Sequence, residues 1–272
     1  MDQRYEMDLL LLAVKDKYGY DFTGYKYASL ERRLSLYLNS SEKEHYSELI
    51  PDLLHDPGKF EILLNTLTIN ITEMFRDPPI YQVIRNDIIP WLATFPRINI
   101  WSAGCSSGQE AYSIAIILHE SGLYSRTKIY GTDINSSILK TARNGIFKEA
   151  DFKIYSKSYI DAGCKSSLSD YFYLNYGNSL IHDSVKSNIS FFNHNLVTDD
   201  SFIEAQLIIC SNVLIYFNTV LQNRVWNLFY NSLHSYGFLV LGNKEKIPEQ
   251  MLGRMFEKIS ANLPVYRKVP RG

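Results

Sequence analysis

The sequence contains few cysteines, and none is spaced for a metal or a disulfide framework. Its 272 residues include three cysteines, Cys105, Cys164 and Cys210, and none lies in a Cys-x-x-Cys motif. An odd number without such a motif favours neither a disulfide framework nor a zinc site. The six histidines also lack the spacing of metal ligands. We therefore expect reduced thiols and no metal.

An excess of charge of one sign is missing too. The chain has 28 basic and 29 acidic residues, which gives a formal net charge of -1 at pH 7. Proteins that bind nucleic acid through its phosphates usually carry a basic excess. The composition therefore argues against nucleic acid as a partner.

Long apolar runs are absent. No run reaches roughly 18 residues, the length that a membrane-spanning helix needs. The N-terminus begins Met-Asp-Gln-Arg-Tyr-Glu and does not lead a basic segment into an apolar one, as a secretory signal does. These absences argue against secretion and membrane insertion, and we expect a cytoplasmic protein.

Residues 1–78 are predicted to form a helical domain, because apolar residues recur there at spacings of three and four. Asp77-Pro78-Pro79 supplies a helix start. Residues 79–97 are predicted to be a connecting helix and linker. The predicted helices of the first domain are Met7–Lys17, Ser29–Leu38, His45–Leu54 and Phe60–Leu67.

Residues 98–272 are predicted to form an α/β domain, because apolar strands there alternate with helices. This alternation is typical of a mostly parallel sheet covered by helices on both faces. Short alternating pieces at residues 148–187 predict a small antiparallel β insertion. The predicted strands are Ile98–Trp101, Lys128–Thr132, Ile189–Phe192, Leu207–Cys210, Phe238–Gly242 and Val265–Val269.

The segment that follows the first of these strands has the features of a nucleoside-binding loop. Gly104 and Gly108 lie between the strand and a helix that begins near Gln109, and Asp133 ends the second strand. Glycine lets the backbone approach a ligand, and a carboxylate accepts hydrogen bonds from both ribose hydroxyls. The glycine spacing is G-x-x-x-G, which disfavours a dinucleotide oxidoreductase, whose motif is G-x-G-x-x-G.

Six segments of the chain occur in an order that is typical of one family. They are YGYDFTGYKYASLERRL at Tyr18–Leu34, NITEMFRDP at Asn70–Pro78, WSAGCSSGQEAYSIA at Trp101–Ala115, GTDINSSILKTARNGIF at Gly131–Phe147, CSNVLIYF at Cys210–Phe217 and GFLVLG at Gly237–Gly242. In this order they resemble the CheR family, the S-adenosylmethionine-dependent glutamate methyltransferases of bacterial chemotaxis signalling. The resemblance extends from about Leu9 to Lys268. It implies a Rossmann-like class I methyltransferase domain that follows an all-helical domain.

The resemblance also implies which residues form the site. Glu110 would hold the methionine end of S-adenosylmethionine, and Asp133 the adenosine end. Arg76 and Tyr216 would be catalytic, and Arg76 is suited to gripping a carboxylate because its guanidinium fork offers two parallel donors. The positions implied to bind the cofactor are Asn70, Thr72, Arg76, Gly104, Glu110, Asp133, Asn195, Leu196, Ser211 and Asn212.

The chain departs from the family pattern near the site. Ser211 stands where relatives have Arg, and Asn243 and Lys244 stand where they have His and Ser. Gln109-Glu110-Ala111 likewise replaces a sequence with two acids and a proline. Loss of the Arg removes a fixed positive charge, and Lys244 is a candidate to replace it. These departures keep open an alternative, a catalytically weak or inactive S-adenosylmethionine-binding module that regulates a signalling complex.

The resemblance implies as partner an acidic helical region of a methyl-accepting receptor or other signalling protein, bound by a basic N-terminal helix with Lys26, Arg32 and Arg33. A short loop with one glycine within residues 173–180 predicts recognition that does not depend on a peptide tether of the receptor. Methyltransferases of nucleic acid or small molecules remain rivals. Those that methylate amino groups of nucleic acids typically have Asn/Asp-Pro-Pro-Tyr after strand four, and this chain has Ser-Asn-Val-Leu-Ile-Tyr.

Overall fold

The computed structural model describes residues 2–68, 72–175 and 177–270, apart from the side chain of Asn175. They divide into two compact units, Met1–Asn70 with Tyr216–Val225 and Ile71–Ile215 with Trp226–Gly272. The apolar spacing of the sequence did not indicate that residues 216–225 group with the N-terminal helices. Among the described residues, no helix combines the length and the apolar character needed to cross a membrane.

The first unit is helical, as predicted. Within residues 2–68 the helices are α1 Gln3–Tyr18, α2 Tyr27–Asn39, α3 Tyr46–His55 and α4 Pro57–Leu67. Asp2 caps α1 by accepting a hydrogen bond from the N–H of Arg4, and Gly19 ends it in a left-handed conformation at φ 77°. The apolar stripes of the helices meet in one core, where Leu10 and Leu34 are 0% exposed.

The second unit contains a mostly parallel sheet. The strands within the described residues are β1 Ile98–Ala103, β2 Thr127–Asp133, β3 Ile146–Lys148, β4 Phe172–Asn175, β5 Asn178–Ile181, β6 Ile189–Asn193, β7 Ala205–Cys210, β8 Leu233–Leu241, β9 Phe256–Lys258 and β10 Val265–Lys268. Among them, seven pair in the order β6-β2-β1-β7-β8-β10-β9. The pairs from β6 through β8 are parallel, and β10 is antiparallel to both of its neighbours. The carboxyl ends of β1, β2, β6 and β7 therefore lie at one edge.

Helices connect the strands. In the part of the chain that the structure describes they are α5 Pro78–Val83, α6 Ile89–Leu92, α7 Gln109–Glu120, α8 Ser136–Asn144, α9 Glu149–Asp161, α10 Asp183–Lys186 and α11 Thr219–Ser232. In the segment predicted as a connecting helix and linker, a π-helical turn at Ile84–Ile88 joins α5 to α6. Pro90 follows this turn and lacks an N–H to continue regular helical bonding. Buried residues fill α7 from Gln109 to Leu118, so this helix lies at the centre of the unit.

The insertion is antiparallel, as predicted, and β3, β5 and β4 form its sheet within the described residues. The sequence interpretation missed α9, which lies inside the same stretch. Tyr155 and Tyr159 are buried on one face of α9, one turn apart. Their periodicity was obscured because the segment is otherwise rich in polar and exposed residues.

Candidate functional site

The loop between β1 and α7 is a tight backbone cradle. Gly104 and Gly108 have φ values of 70° and 91°, and Ser106 between them has φ 52°. A Cβ atom at Gly104 would lie 2.5 Å from Cγ2 of Val213, which follows β7. Glycine is therefore required there for packing as well as for backbone conformation.

Asp133, at the end of β2, closes one side of this cradle. Its Oδ2 accepts a hydrogen bond of 2.9 Å from the N–H of Ser106, and its Oδ1 accepts one of 2.9 Å from Asn135. Burial raises the pKa of Asp133, and these backbone hydrogen bonds oppose the rise. A carboxylate has about four acceptor sites, and these backbone bonds together with one from Ile134 leave room for a ligand. The hydroxyl of Ser106 is buried and has no hydrogen-bond partner among the described residues.

Glu110, in the first turn of α7, is a buried acid among polar neighbours. Its Oε1 accepts a hydrogen bond of 2.7 Å from Ser102, and the Ser211 hydroxyl also bonds to its carboxylate. Burial raises the pKa of Glu110 to about 7, and the negative charge of Glu245 adds to the rise. The two serine hydroxyls and the positive charge of Arg76 act in the opposite direction. Glu110 and Arg76 therefore interact electrostatically within this unit.

Arg76 lies within an unusual backbone segment. Phe75 and Asp77, on either side of it, have φ values of 53° and 58°. Phe75 is 0% exposed, and its N–H donates a hydrogen bond of 2.9 Å to the hydroxyl of Ser113 in α7. A buried ring and a buried hydrogen bond thus hold the residue that precedes Arg76. Ser113 carried no signal in the sequence, since the contact joins residues far apart in the chain.

The loop after β7 presents Asn212. Asn212 has φ 62°, a left-handed conformation that Asn adopts more readily than most residues. Its Nδ2 is buried and has no hydrogen-bond partner within the described ranges. The buried carboxylate of Glu245 accepts a hydrogen bond of 2.7 Å from the N–H of Asn212. No motif in the sequence indicated a role for Glu245, although this residue ends the segment in which Asn243 and Lys244 depart from the family.

Asn195 and Leu196 follow β6, at the same sheet edge, and both are buried. The N–H of Asn195 donates to Asp199 at 2.8 Å, and its Oδ1 accepts from Val197 at 2.9 Å. These bonds fix the turn. His194 links the turn to β2, because its N–H donates to the carbonyl of Asp133 at 3.2 Å.

The remaining predicted site residues have other surroundings. Thr72 is half-buried, and Asn70 lies outside the described residues. Tyr216 belongs to the first unit, where its carbonyl accepts a hydrogen bond of 2.7 Å from the N–H of Lys26. Lys244 is exposed. The structure therefore places Arg76, Gly104, Glu110, Asp133, Asn195, Leu196, Ser211 and Asn212 in the second unit and Tyr216 in the first.

The three cysteines are buried and free. Burial raises the pKa of Cys105 and of Cys210 well above the ordinary value, and the charges of Glu110 and Asp133 add to it. Their thiols therefore stay protonated at neutral pH. Among the described residues, no group of His, Cys, Asp and Glu side chains is arranged to hold a metal ion.

Comparison with known families agrees with this arrangement. The SAM binding domain of CheR methyltransferases matches residues 70–263, and the all-alpha domain of the same methyltransferases matches residues 6–68. The chain belongs to the CheR methyltransferase family. It is accordingly a methyltransferase of the chemotaxis type, and its cofactor is S-adenosylmethionine.

Relatives of this CheR protein match over most of their length. It is 43% identical to the methyltransferase Cher3 of Pseudomonas putida, over 97% of this chain and 96% of that one. It is 31% identical to the chemotaxis protein methyltransferase of Borreliella burgdorferi, over 89% of this chain and 88% of the relative. A solved S-adenosyl-L-methionine-dependent methyltransferase from Methanococcus maripaludis is 15% identical, with a TM-score of 0.40, over 71% of this chain and 87% of that structure.

The polar groups of this CheR chain fit the cofactor. S-adenosylmethionine offers an ammonium group and ribose hydroxyls as donors, and Glu110 and Asp133 are acceptors at one edge of the sheet. The buried Ser106 hydroxyl and Asn212 amide have no protein partner among the described residues, as expected of groups that a ligand satisfies. The close approach of the backbone at Gly104 leaves no room for a side chain on the cradle.

Proposed function

We propose that this protein transfers the methyl group of S-adenosylmethionine to glutamate side chains of a methyl-accepting signalling receptor. The products are glutamate methyl esters and S-adenosylhomocysteine. The observation that carries the proposal is the backbone cradle after β1 with the acids Glu110 and Asp133 beside it, where the positive charge of Arg76 also acts on Glu110. A cation there is suited to hold a carboxylate substrate beside the methionine end of the cofactor.

The bound cofactor supplies an electrophilic methyl group on its sulfonium. In the proposed site, Glu110 accepts hydrogen bonds from the cofactor ammonium, and Asp133 accepts them from the ribose hydroxyls. Asn195, Leu196 and Asn212 would border the adenine and the reacting end. These roles rest on the position of each residue at the carboxyl edge of the sheet.

A substrate glutamate has a reference pKa of roughly 4.3, so its carboxylate is already ionised at neutral pH. No general base is needed. The protein's main contribution is therefore to align the carboxylate oxygen with the methyl group and to exclude water. We assign the alignment to Arg76, which offers two parallel N–H donors. Tyr216 remains the second proposed catalytic residue, by its position in the family motif.

We propose that the partner is an acidic helical region of the receptor, bound by the basic residues at the start of the helical unit. Lys26 and Arg32 are exposed and accessible to such a partner. Arg33 differs, because its Nη1 donates a hydrogen bond of 2.9 Å to the carbonyl of Thr66, and burial lowers its pKa. We therefore assign recognition mainly to Lys26 and Arg32, and assign Arg33 partly to the stability of the unit.

The proposal is tested by incubating the protein with tritiated S-adenosylmethionine and receptor-containing membranes, and then identifying the labelled protein. Carboxyl methyl esters release methanol at alkaline pH, whereas methylated amines do not. A base-labile label on receptor glutamates is expected. A label on nucleic acid, or a base-stable label on protein, would contradict the proposal.

One observation favours the alternative of a regulatory cofactor-binding module. Ser211, where relatives have Arg, gives its hydroxyl to Glu110 and contributes no charge. Cofactor binding would then persist without transfer. The same assay distinguishes the two, because a regulatory module binds S-adenosylhomocysteine tightly but labels no receptor.

A further inference from the structure

The buried side chain of Glu245 accepts hydrogen bonds from backbone N–H groups that order the loop after β7. Its Oε2 accepts from the N–H groups of Asn212 at 2.7 Å and Gly242 at 3.0 Å. Its Oε1 accepts from Leu214 at 2.7 Å and Ile215 at 3.3 Å. A carboxylate is the protein group that can accept all of these bonds without offering a donor of its own. The ends of β7 and β8 are joined through this one side chain.

Asn212 depends on this arrangement. Its backbone is in a left-handed conformation, and the Nδ2 of its side-chain amide is buried without a partner among the described residues. The surroundings leave little freedom, because a Cβ at Gly242 would lie 2.9 Å from both the N and the Nδ2 of Asn212. Glu245 and Gly242 thus fix the backbone of Asn212 from two directions.

Glu245 also acts on Glu110 through its charge. The groups whose charges interact with Glu110 include Arg76 and Glu245, and Glu110 in turn acts on Tyr81, Cys105 and Cys210. Tyr81 and the two cysteines stay neutral near pH 7, because burial raises the pKa of each. Burial raises the pKa of Glu110 most, and Arg76 and Glu245 then act on it in opposite directions through their charges.

We propose that Glu245 is a positioning residue for the cofactor, which holds Asn212 towards the ligand through its backbone hydrogen bonds. The proposal rests on the assignment of Asn212 and Glu110 to the cofactor site. It does not depend on the methyl acceptor, because it is tested by the binding of S-adenosylhomocysteine in the absence of any receptor.

The first test replaces Glu245 by Gln, which substitutes an NH2 donor for one oxygen and sets it against backbone N–H donors. Affinity for S-adenosylhomocysteine, measured by titration calorimetry, is expected to fall about tenfold to a hundredfold. Affinity should also begin to rise at lower pH than in the wild type, because a negative charge beside Glu110 is lost. A variant that is merely less stable would not show this displacement of the pH profile.

Glu120→Gln is the matched control. Glu120 is likewise a carboxylate in a network, with its side chain 9% exposed, since it pairs with Arg85 at 2.5 Å and accepts a hydrogen bond from Tyr159. It lies at the far end of the helix that begins beside Glu110. Glu120→Gln should lower the melting temperature and leave both the affinity and its pH profile unchanged.

The second test leaves the charge in place. Gly242→Ala introduces a Cβ against Asn212. The control, Gly237→Ala, introduces a Cβ 2.9 Å from the carbonyl of His234, and both of these residues lie within β8, before the loop that contains Gly242. Neither glycine has a positive φ. We expect Gly242→Ala to lower affinity with an unchanged pH profile, and Gly237→Ala to lower stability alone.

The outcomes are decisive in either direction. If Glu245→Gln does not fold, Gly242→Ala with its control decides the positioning role. Wild-type affinity in Gly242→Ala or in folded Glu245→Gln would overturn the proposal. So would strict additivity of Glu245→Gln with Asn212→Ala at pH 8, above the pKa of Glu110, because the effect that acts through Asn212 is lost once that amide is removed.

Discussion

The hydroxyl of Ser211 bonds to the carboxylate of Glu110, so the residue that replaces the family's Arg contacts the acid proposed to hold the cofactor ammonium. A hydrogen bond to the ionised form favours that form. Serine thus fulfils part of the function of a cation, but it supplies neither charge nor a bidentate fork. The residue at position 211 therefore affects the ionisation of Glu110.

Ser211→Ala is expected to weaken the binding of S-adenosylhomocysteine at pH 7 by about 1 kcal/mol, because ionised Glu110 loses a donor. Ser211→Arg should strengthen binding below pH 7, because a fixed positive charge favours the carboxylate. Titration calorimetry at pH 6 and pH 8 measures both effects. Equal affinity in all three proteins would remove Ser211 from the site.

Replacement of the missing charge by Lys244 stays a prediction. The side chain of Lys244 is exposed, and Arg76 is a cation that lowers the pKa of Glu110. If Lys244 compensates, Lys244→Ala should reduce affinity in the native background more than in the Ser211→Arg background. Additive effects would mean that Lys244 does not compensate and that Arg76 is the cation that acts on Glu110.

Binding of the cofactor should strengthen as pH rises through about 7, the pKa of Glu110. Below that value the acid is protonated and binds an ammonium poorly. The free energy of unfolding depends on pH in the opposite direction. Because the pKa of Glu110 rises from 4.5 to about 7 on folding, its contribution to the stability of the cofactor-free protein falls as pH increases over that interval.

Glu110→Gln is the variant that checks the pH dependence. It should bind S-adenosylhomocysteine weakly at all pH values and lose the rise near pH 7. Its melting temperature should fall less than that of the wild type between pH 5 and pH 7, as followed by circular dichroism. A retained rise in affinity would mean that another group titrates.

Arg76→Ala should lower methyl transfer roughly a hundredfold, because the acceptor carboxylate loses its alignment. Affinity for the cofactor must be compared at pH 8, since removal of the guanidinium also raises the pKa of Glu110. At that pH we expect a change of less than threefold by calorimetry. Arg76→Lys keeps the charge without the fork, so it should bind the cofactor normally and still transfer slowly.

Ser113→Ala tests how Arg76 is held. The N–H of Phe75 would lose its buried acceptor at a backbone position with φ 53°, at a cost of about 1–3 kcal/mol in stability. Turnover should fall by roughly tenfold or more while affinity for S-adenosylhomocysteine stays near wild type. Ser113→Thr keeps the hydroxyl and should restore turnover.

Ser121→Ala is the control for this variant. Like Ser113, Ser121 donates its hydroxyl to a carbonyl of the same helix, to Ile117 at 2.8 Å, but it lies at the opposite end. It should leave turnover unchanged. Equal loss of cofactor affinity and turnover in Ser113→Ala would indicate a general loss of structure instead of a misplaced Arg76.

The sequence indicates the local parts of the candidate site. Asp133 and Glu110 could be placed because each ends or begins an element whose apolar pattern is strong. Glu245 and Ser113 could not, because each acts through hydrogen bonds to backbone far along the chain, and such a bond requires no particular residue at the donor position. The sequence did not predict the helix α9, because its main periodic signal was two tyrosines on the buried face, which is a weak pattern.

Receptor recognition should depend on exposed basic residues of the helical unit. Lys26→Ala and Arg32→Ala should each raise the KM for receptor about two- to fivefold, the effect of an exposed charge pair, without changing cofactor affinity. Lys43→Ala, another exposed lysine of this unit, is the control. Arg33→Ala should instead lower the melting temperature, because its guanidinium donates to the carbonyl of Thr66.

This mode of recognition should not require a peptide tether at the receptor's C-terminus. The hairpin of the small sheet is short, since β4 ends at Asn175 and pairs directly with Asn178 at the start of β5, and Tyr176 lies outside the described residues. We predict equal methylation rates for receptors with and without their C-terminal pentapeptide. Micromolar binding of that pentapeptide, measured by fluorescence anisotropy, would show that the small sheet does bind a tether. The tether would then hold the receptor close to the enzyme, which would explain why removal of a single surface charge has a weak effect.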